Sequence, residues 1–407
     1  MADVAWEGGR IVAIDERLPT DGAAVHDARG KLVVPGLVDV HHHFREPGQE
    51  HKEELATGVR AALEGGFTQV CCMPNTQPTI DQRSVAEFVV RRSAELGGAR
   101  VHPIGAITRG LQGEQLTEMA ELKRAGCVAV SDDGRPVMNA GLMRRALEYA
   151  RTVDLLVVQH AEDLNLSQGG CMHEGRVSTA CGLRGQPAQA ESAMVVRDLE
   201  LVELTGARYH VAHVSTEASV RAIREAKRRG LPVSCEVTPH HFSLTDEACA
   251  TYDPNTKMAP PLRDERARAA MCEALADGTI DCIATDHAPH SLEDKEVEFE
   301  YAAFGIIGLE TSFALGYELV RAGILSLKQL VLAMTTRPAR LFGLRCDGIA
   351  VGAPADLAVF ALDESWRYEV KRSASRSKNS PFDGRTLQAR WAATVVDGAL
   401  FRPEATP

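Results

Sequence analysis

The sequence predicts an α/β fold: a closed (β/α)8 barrel of the TIM type with a small β-sandwich module formed from both chain termini. Strand-like and helical segments alternate through the middle of the chain, which indicates parallel strands joined by right-handed crossovers. Both ends are instead rich in short strands. A length of 407 residues suits a large barrel with an appended module. We therefore expect residues 37–343 to form the barrel, and residues 1–36 and 344–407 to form the module.

The barrel prediction depends on eight short apolar segments separated by segments of helical periodicity. The expected strands are Val33–Val40, Thr68–Met73, Val101–Ile107, Cys127–Ser131, Leu155–Gln159, Tyr209–Val214, Pro232–Val237 and Ile280–Thr285. The expected helices are Glu53–Glu64, Ser84–Leu96, Glu114–Arg124, Gly141–Thr152, Gln189–Leu204, Glu217–Arg229 and Asp264–Asp277. A doubly wound open sheet is the alternative, and it is disfavoured because no Gly-x-Gly-x-x-Gly turn follows any of these strands.

The terminal module is predicted from short apolar segments bounded by Gly, Pro and Asp. Its expected strands are Arg10–Ile14, Val25–Ala28, Ala355–Leu362, Trp391–Val396 and Ala399–Phe401. Two strand-rich ends that flank a different middle indicate one module built from both termini.

The overall charge and the cysteines narrow the class of function. The formal net charge is −11, which argues against a nucleic-acid or anionic-membrane partner. None of the ten cysteines forms a Cys-x-x-Cys pair, so a thiolate zinc site is not expected. The sequence shows neither a secretory signal nor an apolar run of membrane length, so we expect a cytoplasmic protein with reduced thiols and no membrane partner.

Three consecutive histidines end the first apolar segment of the barrel and precede Arg45 and a Glu-Pro-Gly turn. Because side chains alternate along a strand, His41 and His43 point to one side and His42 to the other. Two imidazoles side by side at a strand end form half of a metal site. We therefore expect His42 to pack outward, away from that site.

Further polar residues follow the other strands, at the rim where barrels of this type carry their active sites. Histidine stands there at the ends of five of the eight expected strands. The candidate metal ligands are His41, His43, His160, His213, Asp286 and one of Asp132 and Asp133. Nitrogen and carboxylate ligands suit zinc or a similar divalent ion. Six ligands exceed the needs of one tetrahedral zinc, so two ions bridged by a carboxylate fit the set.

Several neighbouring residues have a second interpretation. Asp132 and Asp133 face opposite ways if the strand continues, and the pattern does not choose between them. His240 and His241 are expected to bond to backbone or to support a ligand, and Glu162 with Asp163 could cap the following segment. The remaining histidines lack this context and are expected to be structural or exposed: His26, His51, His102, His173 and His210.

Eight motifs spread along the chain form a recognisable set. They are Gly36–Gly48 (GLVDVHHHFREPG), Met73–Thr76, Ser131–Gly134, His160–Asp163, His213–Thr216, Lys257–Arg263, Ala284–His290 (ATDHAPH) and Lys378–Gly384. With these motifs the chain resembles the bacterial-type dihydroorotases of the amidohydrolase superfamily over nearly its whole length. The resemblance implies a metal-dependent cyclic amide hydrolase that interconverts L-dihydroorotate and N-carbamoyl-L-aspartate in pyrimidine synthesis.

The same resemblance assigns roles to the metal ligands. His41 and His43 would hold one zinc ion, and His160 and His213 a second. An aspartate bridges the ions in this branch, at the position of Asp133. One or two zinc ions per subunit are expected, with Asp133 bridging if there are two. Asp286 would be both a metal ligand and the catalytic general acid and base.

Substrate contacts and partners follow from the resemblance as well. Arg45, Asn75 and His290 would bind the substrate carboxylate, and Phe304 with Gly305 would close on the pyrimidine ring. A homodimer and an association with aspartate transcarbamoylase are the candidate assemblies.

Two other functions compete with this one. A hydantoinase or allantoinase is disfavoured because no lysine stands at Asp132 or Asp133 and because Arg45 opens an Arg-Glu-Pro-Gly motif. A catalytically inactive homologue that scaffolds a partner such as aspartate transcarbamoylase is disfavoured because every expected ligand is present.

Four stretches leave their roles open or depart from the family. Residues 291–303 are too charged for core and predict either a solvated loop or a lid over the site. Lys371–Lys378 is basic and serine-rich and predicts an exposed loop. Ala259 stands where many relatives have Asn, so backbone groups are expected to take the place of a side-chain contact to the ring. The N-terminus begins late, which puts the stability of the module in question.

Overall fold

The computed structural model describes residues 2–403, which form sixteen strands and fourteen α-helices. The strands are β1 Asp3–Glu7, β2 Arg10–Asp15, β3 Leu32–Pro35, β4 Leu37–His42, β5 Phe67–Cys72, β6 Arg100–Gly105, β7 Ala129–Ser131, β8 Leu156–Gln159, β9 Met172–His173, β10 Gly185–Gln186, β11 Tyr209–Val211, β12 Val233–Val237, β13 Cys282–Ile283, β14 Leu357–Arg367, β15 Thr386–Val396 and β16 Ala399–Phe401. The helices are α1 Leu55–Glu64, α2 Arg83–Leu96, α3 Met119–Arg124, α4 Ala140–Thr152, α5 Leu164–Ser167, α6 Arg176–Cys181, α7 Gln189–Thr205, α8 Glu217–Arg228, α9 Pro239–Ser243, α10 Glu265–Asp277, α11 Leu292–Lys295, α12 Ser312–Arg321, α13 Leu327–Met334 and α14 Thr336–Leu341.

Eight parallel strands form the barrel in the order β4-β5-β6-β7-β8-β11-β12-β13. The chain after β13 returns to β4, where His43 N donates to His287 O at 3.0 Å and His42 pairs with His287. Helices surround the strands, and the side chains between the two layers are mostly apolar. The predicted fold class is confirmed. Each of the eight expected strands overlaps one barrel strand.

The first expected strand is in fact two strands that belong to different sheets. β3 pairs antiparallel with β14 in the terminal module, whereas β4 enters the barrel. Gly36 joins them where the backbone passes Thr68, and a Cβ at Gly36 would lie 2.2 Å from Thr68 Cγ2. Only glycine therefore lets the chain cross from the module into the barrel at this point.

The module contains a four-stranded sheet, in the order β16-β15-β14-β3, and the β1–β2 hairpin. Ile11 of the hairpin packs with Leu357 and Val395 of that sheet. The strand expected at Val25–Ala28 is wrong: these residues form no strand, and Val25 is 69% exposed. An apolar residue without a partner strand cannot hold extended backbone in place. β1, in contrast, was not expected as a strand from its sequence.

Several contacts anchor the module on the barrel. The Phe360 ring of β14 stacks on the Phe313 ring of α12, with centroids 3.7 Å apart. Thr394 Oγ1 of β15 donates to Leu63 O of α1 at 2.6 Å. Within residues 2–403, no helix combines the length and apolar character that crossing a bilayer requires.

Candidate metal centre

Six of the expected ligands meet at the carboxyl ends of the barrel strands. His41 lies in β4, and the others follow β4, β7, β8, β11 and β13. All are buried: His41, His43, Asp133, His160, His213 and Asp286. Residues separated by up to 245 positions are thus brought into one cluster by the strand order.

Asp133 lies at the centre of this cluster. Its Oδ1 is 3.4 Å from His41 Nε2, 3.6 Å from His213 Nε2 and 3.7 Å from His160 Nδ1. Its Oδ2 is 3.5 Å from His43 Nε2. One carboxylate therefore faces ring nitrogens of four histidines, three of them through Oδ1 and one through Oδ2.

Asp286 completes the second half of the cluster. Its Oδ1 is 3.1 Å from His43 Nε2 and 3.4 Å from His41 Nε2. His160 Nδ1 and His213 Nε2 lie 2.8 Å apart on the opposite side. Two groups of potential ligands result, and both include His41: one with Asp133 and His213, the other with His43 and Asp286.

Asp132 and Asp133 have different surroundings. Asp132 accepts hydrogen bonds from Ile107 N at 2.8 Å, from Thr108 N at 2.9 Å and from the Thr108 hydroxyl. Its oxygens are thus occupied away from the cluster. The structure places Asp133, and not Asp132, among the histidines.

The chemistry of the donor set fits a divalent cation. In the part of the chain that the structure describes, His41 Nε2 and Asp133 Oδ1 are buried without a hydrogen-bond partner. Burial lowers the pKa of His41, but Asp286, Asp133 and Glu236 outweigh it and hold that pKa well above its ordinary value. The cluster therefore brings buried carboxylates close to nitrogen and oxygen atoms that have no hydrogen-bond partner. A bound cation would compensate the negative charge and give these atoms a partner.

Three of the histidines are oriented by a bond at the other ring nitrogen. His41 Nδ1 is 2.6 Å from Glu236 Oε1, and His43 Nδ1 is 2.9 Å from Asn75 Oδ1. His160 Nε2 is 2.8 Å from Glu162 Oε2. Such outer bonds fix the ring and leave the opposite nitrogen free to ligate. Asp163, in contrast, caps α5 by accepting from Asn165 N.

Backbone strain coincides with the predicted site. Arg45 (φ 64°), His213 (φ 30°) and Asp286 (φ 44°) have positive φ angles although none is glycine. Such conformations are costly for residues with a Cβ and cluster at functional positions. The surrounding fold therefore holds these three side chains in directions that relaxed backbone would not give.

Arg45 and His290 lie together beside the metal cluster. Arg45 is 8% exposed, its Nε donates to Pro289 O at 3.2 Å, and its Nη2 is 3.4 Å from His290 Nε2. Asn75 accepts from His43 through Oδ1, so its amide nitrogen points elsewhere. Guanidinium, imidazole and amide groups are the donors that a carboxylate ligand requires.

Phe304 and Gly305 follow on the same side of the site. Gly305 N donates to Lys257 O at 3.0 Å, so this pair lies against the loop that carries Ala259. A Cβ at Gly305 would lie 2.5 Å from Ala288 O and 2.6 Å from His290 Cδ2. Glycine is thus required for the close approach to His290.

Asn379, from the C-terminal part of the chain, holds both of these segments. Its Nδ2 donates to Ala288 O at 2.9 Å and to Gly305 O at 3.0 Å, and its Oδ1 accepts from His290 N at 3.0 Å. The side-chain amide nitrogen and oxygen of Asn379, which make these bonds, are buried. One side chain thereby fixes the spacing between His290 and Gly305.

The expected exposed loop at Lys371–Lys378 is wrong in part. Ser375 is 1% exposed and its hydroxyl donates to the buried carboxylate of Glu53. Glu53 also faces His287, whose ring stacks on His42 with centroids 4.7 Å apart. His42 thus turns away from His41 and His43. Ser375 thus satisfies a carboxylate that lies inside the protein, and Ser377 donates to Lys52 O at 2.6 Å.

Residues 291–303 fold against the neighbouring loop. Lys295 is 4% exposed and its Nζ donates to Pro254 O at 2.8 Å and to Ala303 O at 2.7 Å. Lys257 Nζ donates to Phe299 O at 2.9 Å. Two buried lysines therefore bind the backbone of a segment that composition alone describes as solvated. A cavity of about 320 Å³ borders this segment and reaches His290.

Sequence reasoning missed Glu236, His210 and Asn379. His210 was expected to be structural or exposed, and it is buried in the barrel, where it bonds to Glu236. The available signal was a glutamate in the middle of an apolar strand, because a buried charge needs a specific partner. Nothing in the local pattern around Asn379 indicates that it reaches the barrel rim.

Comparison with known proteins places the chain among characterised sequences. Residues 30–219 match the family model described as dihydro-orotase-like. A dihydroorotase of Anaeromyxobacter dehalogenans is 55% identical over 405 residues, covering 98% of this chain and 93% of that protein. A dihydroorotase of Pelotomaculum thermopropionicum is 54% identical over 399 residues, with 98% and 93% coverage.

Solved structures share the fold at lower identity. The L-hydantoinase of Arthrobacter aurescens is 27% identical, with a TM-score of 0.87 and coverage of 100% of this chain and 93% of that one. The D-hydantoinase of a Thermus species is also 27% identical, with a TM-score of 0.81 and coverage of 98% and 91%. With near full-length identity above one half and a shared barrel, the chain belongs to the dihydroorotase family.

Proposed function

We propose that this protein catalyses the reversible hydrolysis of L-dihydroorotate to N-carbamoyl-L-aspartate, a step of pyrimidine synthesis. Family membership supports a metal-dependent cyclic amide hydrolase. The observation that carries the proposal is the position of Asp133 between four histidines, with Arg45 and His290 beside them. A charged centre next to donors for a carboxylate matches a cyclic amide that bears a carboxylate.

The metal in this proposal is zinc, with one or two ions per subunit. His41 and His43 would hold one ion and His160 and His213 a second, with Asp133 between them if both are bound. When bound, zinc supplies a Lewis acid that polarises the ring amide carbonyl and makes hydroxide available at a pH of about 7. The unpartnered His41 Nε2 and Asp133 Oδ1 are the atoms that support this assignment most directly.

Asp286 is the proposed proton carrier. Its Oδ1 lies 3.1 Å from His43 Nε2, inside the cluster, and burial alone would favour its neutral form. The neighbouring His41 and His43 nevertheless hold the pKa of Asp286 far below its ordinary value, so the side chain is an ionised carboxylate. In the forward direction Asp286 takes the proton of the attacking water and delivers it to the departing ring nitrogen.

The remaining site residues bind and orient the substrate. Arg45 grips the substrate carboxylate through parallel hydrogen bonds, assisted by Asn75 and His290. Phe304 and Gly305 close on the pyrimidine ring. Holding the ring in one orientation places the scissile amide at the metal centre. This fixed orientation lets binding energy accelerate the reaction.

A hydantoinase activity is the second candidate, because the solved structures that share the fold are hydantoinases. Hydantoins lack the ring carboxylate, so Arg45 and His290 would have no partner in such a substrate. Asp133 also stands where the hydantoinases of the family pattern use a carboxylated lysine. We therefore favour dihydroorotate.

The domain bounds, the localisation and the assembly of the protein are part of the same proposal. We propose residues 37–343 as the catalytic barrel and residues 1–36 with 344–407 as the supporting module. Residues 1 and 404–407 of these ranges lie outside the part of the chain that the structure describes. We place the enzyme in the cytoplasm, consistent with thiols that are all unpaired among the described residues. A homodimer and a complex with aspartate transcarbamoylase are the assemblies to test, by sedimentation of the protein alone and with that enzyme.

The test is an assay on dihydroorotate, hydantoin and allantoin, with and without chelator, beside Asp286→Asn. We expect turnover of dihydroorotate alone, loss with chelator and recovery with zinc. Asp286→Asn should lower kcat by about 10²–10⁴-fold, the contribution of a positioned acid and base. Turnover of hydantoin or allantoin but not dihydroorotate would overturn the substrate, and a protein that neither holds zinc nor responds to it would favour the inactive scaffold.

A further inference from the structure

We infer that Glu236 and His210 form a positioning relay inside the barrel that fixes the ring and the tautomer of the metal ligand His41. Glu236 forms a hydrogen bond with the His41 ring, and His210 forms a hydrogen bond with Glu236. The inference deepens the proposed function, because it rests on His41 as a metal ligand. Neither residue reaches the substrate, so both are positioning residues.

The relay is a continuous line of hydrogen bonds in the barrel interior. Glu236 of β12 accepts from His41 Nδ1 at 2.6 Å through Oε1 and from His210 Nε2 at 3.1 Å through Oε2. His210 of β11 has its Nδ1 2.7 Å from Ser234 Oγ. His41, His210 and Glu236 are each 0% exposed. Water therefore cannot replace any of these bonds.

The bonding pattern allows one assignment of protons. A carboxylate only accepts, so the hydrogens at Glu236 must come from His41 Nδ1 and from His210 Nε2. His210 Nδ1 then accepts from the Ser234 hydroxyl. With an ion bound, His41 would present the lone pair of Nε2, the atom that lies 3.4 Å from both Asp133 and Asp286. The reverse tautomer of His41 would leave Glu236 Oε1 with only the longer bond from His213 N, at 3.4 Å.

Each oxygen of the Glu236 carboxylate faces a ring nitrogen, Oε1 that of His41 and Oε2 that of His210. A charged acceptor makes a stronger bond to an imidazole N–H than a neutral one and raises the basicity of the opposite nitrogen. A more basic ring nitrogen is a better ligand for a metal ion.

A second metal ion is the competing interpretation of the same residues. His210, Glu236 and Cys282 each offer a potential ligand atom within 4.8 Å of the others. Both oxygens of Glu236, however, already accept ring N–H groups. Burial also holds the pKa of the Cys282 thiol well above its ordinary value, which disfavours the thiolate that a metal requires. We therefore assign hydrogen bonds and not an ion to this group.

The relay can be tested by zinc binding alone. Glu236→Gln keeps the shape but removes the charge, and His210→Asn removes the support of Glu236. Zinc affinity is measured by competition with a chromophoric chelator, and the visible spectrum of the cobalt-substituted protein reports the ligand field. We expect Glu236→Gln to weaken zinc binding by about 10–100-fold, as other outer partners of metal-bound histidines do, and His210→Asn to weaken it less.

Asp198→Asn is the matched control. Asp198 is a 0% exposed carboxylate that accepts from the Tyr209 hydroxyl at 2.8 Å, next to the same strand β11 but outside the relay. Its loss should lower thermal stability and leave zinc affinity within about twofold of the wild type. A merely structural role of Glu236 would give the same result as Asp198→Asn.

The outcomes separate this inference from the proposed function. Wild-type zinc affinity and an unchanged cobalt spectrum in Glu236→Gln overturn the relay and leave the proposed function intact. Wild-type protein that holds no zinc overturns both. If Glu236→Gln does not fold, His210→Asn decides: weaker zinc binding supports the relay, and unchanged binding overturns it. A third equivalent of zinc that is lost in Cys282→Ser would overturn the relay in favour of a metal.

Discussion

Asp132 and Asp133 show how far neighbouring residues of the same type can differ in role. Strand β7 ends at Ser131, so both aspartates lie beyond it and the alternation of a strand no longer applies. This is why the residue pattern could not choose between them. Asp132 turns to backbone donors at Thr108, and Asp133 turns to the histidines.

This difference predicts opposite effects of the same substitution. Asp133→Asn should remove a charged ligand and lower zinc content, with turnover reduced by at least about 10²-fold, since outer partners alone cost 10- to 100-fold. Asp132→Asn keeps one acceptor oxygen. It should cost about 1–3 kcal/mol of stability through weakened buried hydrogen bonds and leave turnover within a few-fold. Zinc content, kcat and Tm measured for both variants check this, and reversed effects would contradict the assignment of Asp133.

At the scale of single residues, the sequence predicted the ligands better than their supports. His41 and His43 follow from alternation on a strand, which is a local rule. The support of His41 is Glu236, 195 positions away, and pairing at that distance depends on the strand order and on side-chain direction. Local patterns carry neither.

At the scale of elements, the barrel strands were predictable because each is short, apolar and followed by a helix. The split of Leu32–His42 between two sheets was not, since both halves are equally apolar. Pro35 and Gly36 indicated a break in this apolar segment, but they did not indicate that the chain passes from one sheet to another at the break. The burial of Lys295 was not predicted either. Backbone carbonyls surround its side-chain nitrogen, and the local sequence does not show that they come together there.

The segment that contains Asn379 should matter for substrate binding. Asn379→Ala removes three hydrogen bonds that space His290 from Gly305. A change of about 1.4 kcal/mol in binding corresponds to a tenfold change in affinity, so we expect KM for dihydroorotate to rise about tenfold with a smaller change in kcat. Steady-state kinetics check this. Asp383→Asn, which alters a bond to Val370 N in the same stretch, should leave KM unchanged.

Segment 291–303 should dock in a pH-dependent way through Lys295. Burial lowers the pKa of Lys295 to about 7, whereas the lysine of an unfolded or undocked segment keeps its ordinary pKa of 10.5. Between these pH values the docked state binds fewer protons, so its stability rises with pH; below pH 7 the contribution no longer changes. We expect the Tm of the wild type to increase relative to that of Lys295→Met between pH 7 and pH 9. A constant difference between the two proteins would show that Lys295 is not buried as a neutral amine.

At the scale of the whole molecule, the fold and the site could be predicted together because the barrel fixes where strand ends meet. Once eight strand–helix units are recognised, residues such as His41, His160 and Asp286 must converge at one rim. What could not be predicted is how the module joins the barrel. The stacking of Phe360 on Phe313 and the reach of Asn379 into the site depend on the path of the C-terminal chain, which no periodicity encodes.

Convergence of ligands from five strands also predicts a link between metal binding and global stability. An ion that binds only the folded state stabilises it by about 2.7 kcal/mol at a concentration 100 times its Kd. Removing zinc from the wild type should therefore lower Tm by several degrees, and adding zinc should restore it. Without the ion, the carboxylates Asp133 and Asp286 face the buried ring of His41 and hold its pKa well above the ordinary value. Thermal unfolding of chelated and zinc-loaded protein measures the difference, with Asp133→Asn as the variant whose Tm should hardly respond. An equal zinc response in that variant would mean that the stabilising ion binds elsewhere than in this cluster.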